Sequence, residues 1–392
     1  MQAEPGRHLV LVLCLIATTG QAGSFLYLPA LPALAAEFGT GEAGAQMTLT
    51  TYLLGTCLGF AVYGQIADNF GHRRVFWMAG AVFVLASMAG ALAQDLAALN
   101  AVRFVQGMGS VAGIITARSS IRTLVPPARA PQAMAALTAV VALAPAASPL
   151  IGAVVLEFMD WRATFWLAAA MGFAAIFGGL AVLPRGVRVA AEDRPRHAVR
   201  SLLSSPTFRA CVLLGSSCNS AFMILMAGSP FVFIGIYGLS ELAYTLFLGA
   251  MLVAFAVTAL VSGHLVARFG ARRVLGLALV PVIAGALALA VVGLSGPGLW
   301  LLYGVLFGLF GSMGLVVPTG HTIMLAPFPE IAGTAVGVAM LVNTIVGALA
   351  LAAYGLIAAG SVQGFSVAIA GFVICILGGW ALLPRVGGAR GA

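Results

Sequence analysis

Gly64-Gln65-Ile66-Ala67-Asp68-Asn69-Phe70-Gly71-His72-Arg73-Arg74 is a short polar turn between two long apolar runs, and its pattern returns later in the chain. The second copy reads Gly263-His264-Leu265-Val266-Ala267-Arg268-Phe269-Gly270-Ala271-Arg272-Arg273. Each copy follows one hydrophobic segment and precedes another. Matching polar loops at equivalent points of two hydrophobic stretches indicate one membrane unit, duplicated. Secondary transporters are built this way.

Composition supports that reading outward from the repeat. Apolar residues make up 61% of 392 and charged residues only 8%, against about 45–50% apolar in soluble domains. A spanning helix needs about 20 apolar residues. Suitable segments are His8–Tyr27, 43–66, 75–93, 96–117, 132–156 and 161–183 in the first half. In the second half they are 208–228, 242–266, 274–294, 299–320, 331–356 and 364–383. The expectation is an all-α integral membrane protein of twelve spans in two pseudo-symmetric six-helix halves. The halves are 1–183 and 206–392. The polar interval 184–205, with Arg185, Arg188, Arg194, Arg196 and Arg200, is the cytoplasmic linker. No appended soluble domain is expected.

The first segment could pass for a leader peptide, since Ala22-Gly23-Ser24 follows its apolar stretch. Cleavage there would leave an odd number of spans and reverse every later loop, so it is read as the first span.

Arginine placement sets the orientation. The 19 basic residues are all arginine. With the amino terminus inside, Arg7, Arg73, Arg74, Arg122, Arg129, the linker arginines, Arg268, Arg272, Arg273, Arg385 and Arg390 are cytoplasmic. Only Arg162 falls in an outer loop. The outer loops hold Glu37, Glu42, Asp95, Glu157, Asp160 and Glu241. That asymmetry is the positive-inside rule. It places both termini in the cytoplasm of a bacterium, with the chain in the inner membrane. The net charge of +8 therefore reflects topology, and no nucleic-acid partner is expected.

Several chemistries are excluded. Cys14, Cys57, Cys211, Cys218 and Cys375 all lie in apolar segments without Cys-x-x-Cys spacing. The five histidines fall toward the cytoplasmic side, with no pair at ligand spacing. There is no nucleophile elbow, zinc motif or phosphate loop, so no enzyme, no metal and no cofactor is expected. A scaffold would need extended loops for partners. The partners expected are the bilayer and a small-molecule substrate, and the chain is read as a monomer.

A charge within a span is costly and usually has a partner or a role. Arg103 lies inside the fourth span, in Leu99-Asn100-Ala101-Val102-Arg103-Phe104-Val105-Gln106-Gly107-Met108-Gly109-Ser110. Gln106 and Gly107 share its helical face by spacing, and the glycines permit close helix approach. An arginine snorkelling to the outer interface is the competing reading.

These segments together resemble the major facilitator superfamily. The first repeat is similar to that superfamily's motif A and the Arg103 segment to its motif B. Ala144-Pro145-Ala146-Ala147-Ser148-Pro149-Leu150-Ile151-Gly152 is similar to the antiporter motif C, with Ser-Pro in place of Gly-Pro. Tyr27-Leu28-Pro29-Ala30-Leu31-Pro32 and Trp161-Arg162-Ala163-Thr164-Phe165 resemble the bicyclomycin and chloramphenicol/florfenicol group of drug:proton antiporters.

The resemblance implies roles. Asp68, flanked by Gly64, Gly71, Arg73 and Arg74, would latch the cytoplasmic side against the dipole of the eleventh helix. The second copy has Arg268 at the matching position, so its loop is read as structural. Pro145 and Pro149 bend the fifth span, and Gly152 leaves room for a neighbour. That would restrict leak; a simple proline kink is equally compatible. Members of the group commonly carry an aspartate two residues before the tyrosine of Tyr-Leu-Pro; here that position is Phe25. No carboxylate falls in the middle of any span. Coupling would then use Asp68, Glu157, or Arg103 with a bound anion, or be weak. The substrate would be neutral or anionic rather than cationic.

Candidate cavity groups are Gln21, Ser24, Phe25, Tyr52, Arg103 and Gln106 in the first half and Asn219, Phe222 and Asn343 in the second. An interhelical hydrogen bond is the plainer reading for each asparagine. A mostly apolar lining with few polar points suits bulky hydrophobic ligands. The functional expectation is export of hydrophobic small molecules, drugs included, driven by the proton gradient. A sugar or amino-acid transporter of the same fold is the alternative.

Overall fold

The computed structural model describes residues 7–70, 72–126, 129–183, 198–296, 298–328 and 331–384. Nearly all of them are helical. In chain order the helices are α1 Arg7–Phe25, α2 Leu31–Glu37, α3 Glu42–Phe70, α4 His72–Ala91, α5 Leu96–Leu124, α6 Ala130–Leu156 and α7 Trp161–Val182. Then come α8 Ala198–Ser204, α9 Pro206–Pro230, α10 Glu241–Phe269, α11 Ala271–Leu294, α12 Leu299–Leu325, α13 Ala332–Ile357 and α14 Val362–Leu382. A 3₁₀ turn, Leu28–Ala30, links α1 to α2, and a π-helical turn, Phe231–Ile236, extends α9.

Among the described residues ten helices are long and apolar enough to cross a membrane. α3 and α6, at 29 and 27 residues, match them in length. Leucines and valines such as Leu85, Leu260 and Leu277 stay exposed along the helices. In water such surface would be costly, whereas against lipid tails it is the expected outer layer. Loop chemistry stops and starts the helices at the ends. Asp95 caps α5 by accepting from the Ala98 amide at 2.7 Å, and Ser361 caps α14 by accepting from Gly364 at 2.9 Å.

The described residues fall into two compact units. The first takes in the described part of Met1–Glu192 with Met226–Gly249 and Leu351–Gly360. Within it α5 packs against α1, α3 and α4, and α7 against α1 and α4. Glycines set how closely these helices cross. A Cβ on Gly107 of α5 would strike the Tyr52 carbonyl of α3, and one on Gly55 of α3 would strike the Phe104 carbonyl of α5. Backbone therefore rests on backbone, the small-residue packing of membrane helices.

The second unit comprises the described part of Asp193–Leu225 with Ala250–Ala350 and 361–384. There α11 packs against α12 and α14. At the start of α11, Arg272 donates through Nη1 to the Pro384 carbonyl and through Nη2 to that of Leu383 at 3.3 Å, and lies over the Trp380 ring. The second polar repeat thus ties α11 to the end of α14. Arg268 is exposed beside Phe269.

Candidate functional site

The close α3–α5 crossing carries Arg103 into the interior of the first unit, where it is fully buried. Its Nη1 donates to the Gly23 carbonyl at 2.7 Å and to Gln106 Oε1 at 2.6 Å, and its Nε donates to the Thr48 carbonyl at 3.2 Å. The guanidinium sits 4.3 Å from the ring centres of both Tyr27 and Tyr52 and 5.6 Å from that of Phe165. Gln106 passes the network on: its Nε2 donates to Ser87 Oγ at 2.7 Å, and Ser87 donates to the Phe83 carbonyl at 2.7 Å. The two tyrosines are themselves held. Tyr52 donates to the Gly20 carbonyl at 2.6 Å, and the Tyr27 and Thr48 hydroxyls are bonded at 3.0 Å.

This arrangement excludes snorkelling, since the charge points inward and no part of it reaches the surface. The carbonyls and π-faces stand in for a counter-ion. Nη2 has no hydrogen-bond partner. Arg103 borders a narrow cleft with Gly23, Tyr27, Thr164 and Phe165. Chemically, the nest is a fixed positive charge in an apolar setting, joining α1, α3, α4, α5 and α7.

The other expected positions fall as follows. Ser24 is buried and donates to the Gly20 carbonyl of its own helix, at 3.3 Å. Phe25 is buried and Gln21 half-buried. In the second unit the Asn219 amide donates to the Asn343 carbonyl at 2.8 Å, while Ser216 donates to Asn343 Oδ1 at 2.8 Å. The Asn219 side chain therefore reaches the Asn343 backbone across α9 and α13. Phe222 is half-buried on α9.

Gly152 faces the first helix: a Cβ there would strike the Leu26 carbonyl. Both prolines lie inside α6, Pro149 buried and Pro145 half-buried. Glu157 caps α6 as an exposed residue. Arg73 is half-buried and Arg74 exposed at the start of α4. Gly71 lies outside the described residues. Gly64 and Asp68 belong to helix α3, but the placement of the Asp68 side chain also lies outside what the structure describes.

Sequence reasoning overlooked Glu42. Read as an outer-loop acid, it is buried at the first residue of α3, ahead of the apolar stretch 43–66. Its Oε1 accepts from the Tyr354 hydroxyl at 2.7 Å and from Gln46 Nε2 at 2.6 Å, and its Oε2 accepts from the Gly360 amide at 2.6 Å. Burial pushes the carboxyl above its ordinary range, against the pull of the three hydrogen bonds. The one available signal was Gln46 at i+4, on the same helical face.

Residues 13–351 match the family profile described as the Major Facilitator Superfamily. The chain belongs to the major facilitator superfamily. Members of the superfamily are transporters, not enzymes, and this chain is a multi-pass membrane transporter. It is 28% identical over 331 residues to a chloramphenicol resistance protein of Pseudomonas aeruginosa, covering 81% of this chain and 76% of that one. It is 28% identical over 225 residues to the multidrug resistance protein MdtL of Escherichia coli, covering 57% of each. The matched part thus spans little more than half the length of MdtL. Among solved structures it is similar to a D-xylose-proton symporter, with TM-score 0.80, 16% identity, and 96% of this chain and 98% of that one covered. It is also similar to the nucleoside transporter NupG, with TM-score 0.73, 12% identity, and 96% and 100% covered. At those identities the structures establish the fold.

Proposed function

We propose that this superfamily member exports hydrophobic small molecules, drugs among them, in exchange for protons by alternating access. We further assign it two six-helix halves of twelve spans, 1–183 and 206–392, joined by the linker 184–205. On the positive-inside pattern it sits in the bacterial cytoplasmic membrane with both termini inside, and it works as a monomer. The names borne by the Pseudomonas and Escherichia relatives support the drug reading.

The observation that carries the substrate class is the charge in the Arg103 nest. A buried cation with no acid beside it among the described residues repels a cationic ligand and tolerates a neutral or anionic one. The expected acid of the first span is absent, since Phe25 is a buried aromatic. Neutral amphiphiles of the chloramphenicol type fit this chemistry; quaternary cations do not.

The test is drug susceptibility in a host lacking its main exporters, with wild type, Arg103→Ala and Asp68→Asn expressed at matched levels. The panel includes chloramphenicol-type, bicyclomycin-type and cationic compounds. Raised tolerance to the neutral compounds, lost in both variants and on adding a protonophore, is the expected result. Protection against nothing on the panel would overturn the drug reading in favour of metabolite transport.

A further inference from the structure

Among the described residues Glu42 is the one buried carboxylate, at 9% exposure. Glu37, Asp95, Glu157 and Asp160 are exposed and Glu241 is half-exposed. Glu42 receives three donors and no cation. A carboxylate held away from water without an opposite charge is costly, and hydrogen bonds offset only part of that cost. A second oddity sits four residues along the same helix. Gln46 is 1% exposed, gives its Nε2 to Glu42 and leaves its own Oε1 with no hydrogen-bond partner.

One proton resolves both. A protonated Glu42 has no charge to desolvate, still accepts from Tyr354 and Gly360, and gains an O–H to donate. Half a turn about the terminal bond of Gln46 presents Oε1 to that O–H in place of Nε2, giving up the long 3.4 Å contact of Nε2 with the Ala227 carbonyl. A side-chain amide carries both a donor and an acceptor, so the same residue meets either form of the acid.

We infer that Glu42 is a proton-binding site that fastens the carboxyl end of α13 to the start of α3 when protonated and releases it when ionised. The partners support this. Tyr354 and Gly360 belong to Leu351–Gly360, the segment of the first unit that comes from the far end of the sequence. Water reaching Glu42 removes the reason to stay neutral, so opening this end expels the proton and closing it takes one up. The sign follows from burial. The acid of the closed arrangement has the higher pKa, so closure is favoured at low pH and lost as pH rises through that value.

Among the described residues no other charge faces Glu42. Tyr354 faces it from α13 and Gln46 from its own helix, and Gln46 also reaches the Ala227 carbonyl of α9 at 3.4 Å. Glu37 of α2 is held by Arg162 at 2.7 Å and by Trp161 at 2.6 Å, both of α7. Glu241 of α10 bears on Glu157. The inference rests on the exchange reading only for its use in the cycle: with this end outside, Glu42 takes up and releases its proton on the same face, so it lets external acid close that end after substrate has left and carries no proton across.

The test uses the full chain in lipid nanodiscs without substrate. Spin labels are placed at Gly41→Cys and Ala359→Cys, with Cys375→Ser removing the exposed native thiol. Label separation is followed by electron paramagnetic resonance from about pH 5 to about pH 9. The short separation should dominate in acid and decline as pH rises, by about tenfold in the closed-to-open ratio for each unit separating the two pKa values. Glu42→Gln, permanently neutral, should hold the short separation at every pH. A wild-type separation indifferent to pH, or a Glu42→Gln protein that still titrates like wild type, would overturn the proposal. If Glu42→Gln does not fold, Tyr354→Phe decides. It removes a bond that holds this end closed in either form of the acid, so the pH at which the short separation gives way should fall; an unchanged or higher midpoint overturns the site. Resistance insensitive to protonophores would sink the exchange reading and leave this titration as it stands.

Discussion

Two buried polar groups of the first unit can be set side by side: among the described residues Arg103 is a cation with no acid and Glu42 an acid with no cation. Both replace a counter-ion with carbonyls, amides, hydroxyls or rings. The difference lies in what each can shed. Guanidinium is charged at every accessible pH, so Arg103 needs a permanent setting, and five helices supply it. A carboxyl can take up a proton, so the Glu42 setting has to be complete only for one of its two forms. The first arrangement is a fixture and the second a switch.

The largest predicted effect would break the fixture. Arg103→Met leaves the Gly23 and Thr48 carbonyls and the Gln106 amide without their donor, at about 1–3 kcal/mol for each buried acceptor. Thermal denaturation in detergent should shift strongly downward, and drug export should be lost. Arg103→Lys tests whether charge alone suffices. A lysine cannot reproduce the planar fork or the stacking on two rings, so it should recover only part of the melting temperature; full recovery would show that the geometry is incidental.

The next effect is steric. Gly107→Ala should cost about 1–3 kcal/mol by forcing α5 away from the Tyr52 carbonyl, read as a lower melting temperature with Arg103 intact. Glu42→Gln sharpens the contrast, since a neutral isostere should stay within about 1 kcal/mol of wild type. The pH dependence of the wild-type melt, with stability falling as pH rises through the Glu42 titration, should flatten in that variant. The smallest effect is expected at Arg162→Ala. Its ion pair with Glu37 has side chains 30% and 40% exposed, and pairs of that kind contribute about 0–1 kcal/mol.

Much of this was legible in the chain. The apolar runs and the repeated polar turn carry the membrane class and the superfamily. Arg103 and Gln106 share a helical face by spacing, and they are bonded in the structure. Asn219 and Asn343 were costly in lipid unless bonded; the Asn219 amide reaches the Asn343 backbone carbonyl, and Asn343 Oδ1 accepts from Ser216. What escaped notice has a common cause. Two of the three acceptors for Arg103 are backbone carbonyls, which leave no trace in residue identity. Two of the three partners of Glu42 lie 312 and 318 residues away, beyond any local spacing rule. Its own surroundings, Gly41 before and Ala43 after, read as an ordinary helix start near a loop.

The backbone crossings of the first unit have a mechanical consequence. Gly107 rests on α3, Gly113 on the Ile16 carbonyl of α1, and Gly109 on the Ala79 carbonyl of α4. Side chains can change rotamer to absorb a displacement; peptide groups in contact cannot. A push delivered to any of α1, α3, α4 or α5 is therefore handed to the other three almost undiminished, as through a stiff lever rather than a cushion.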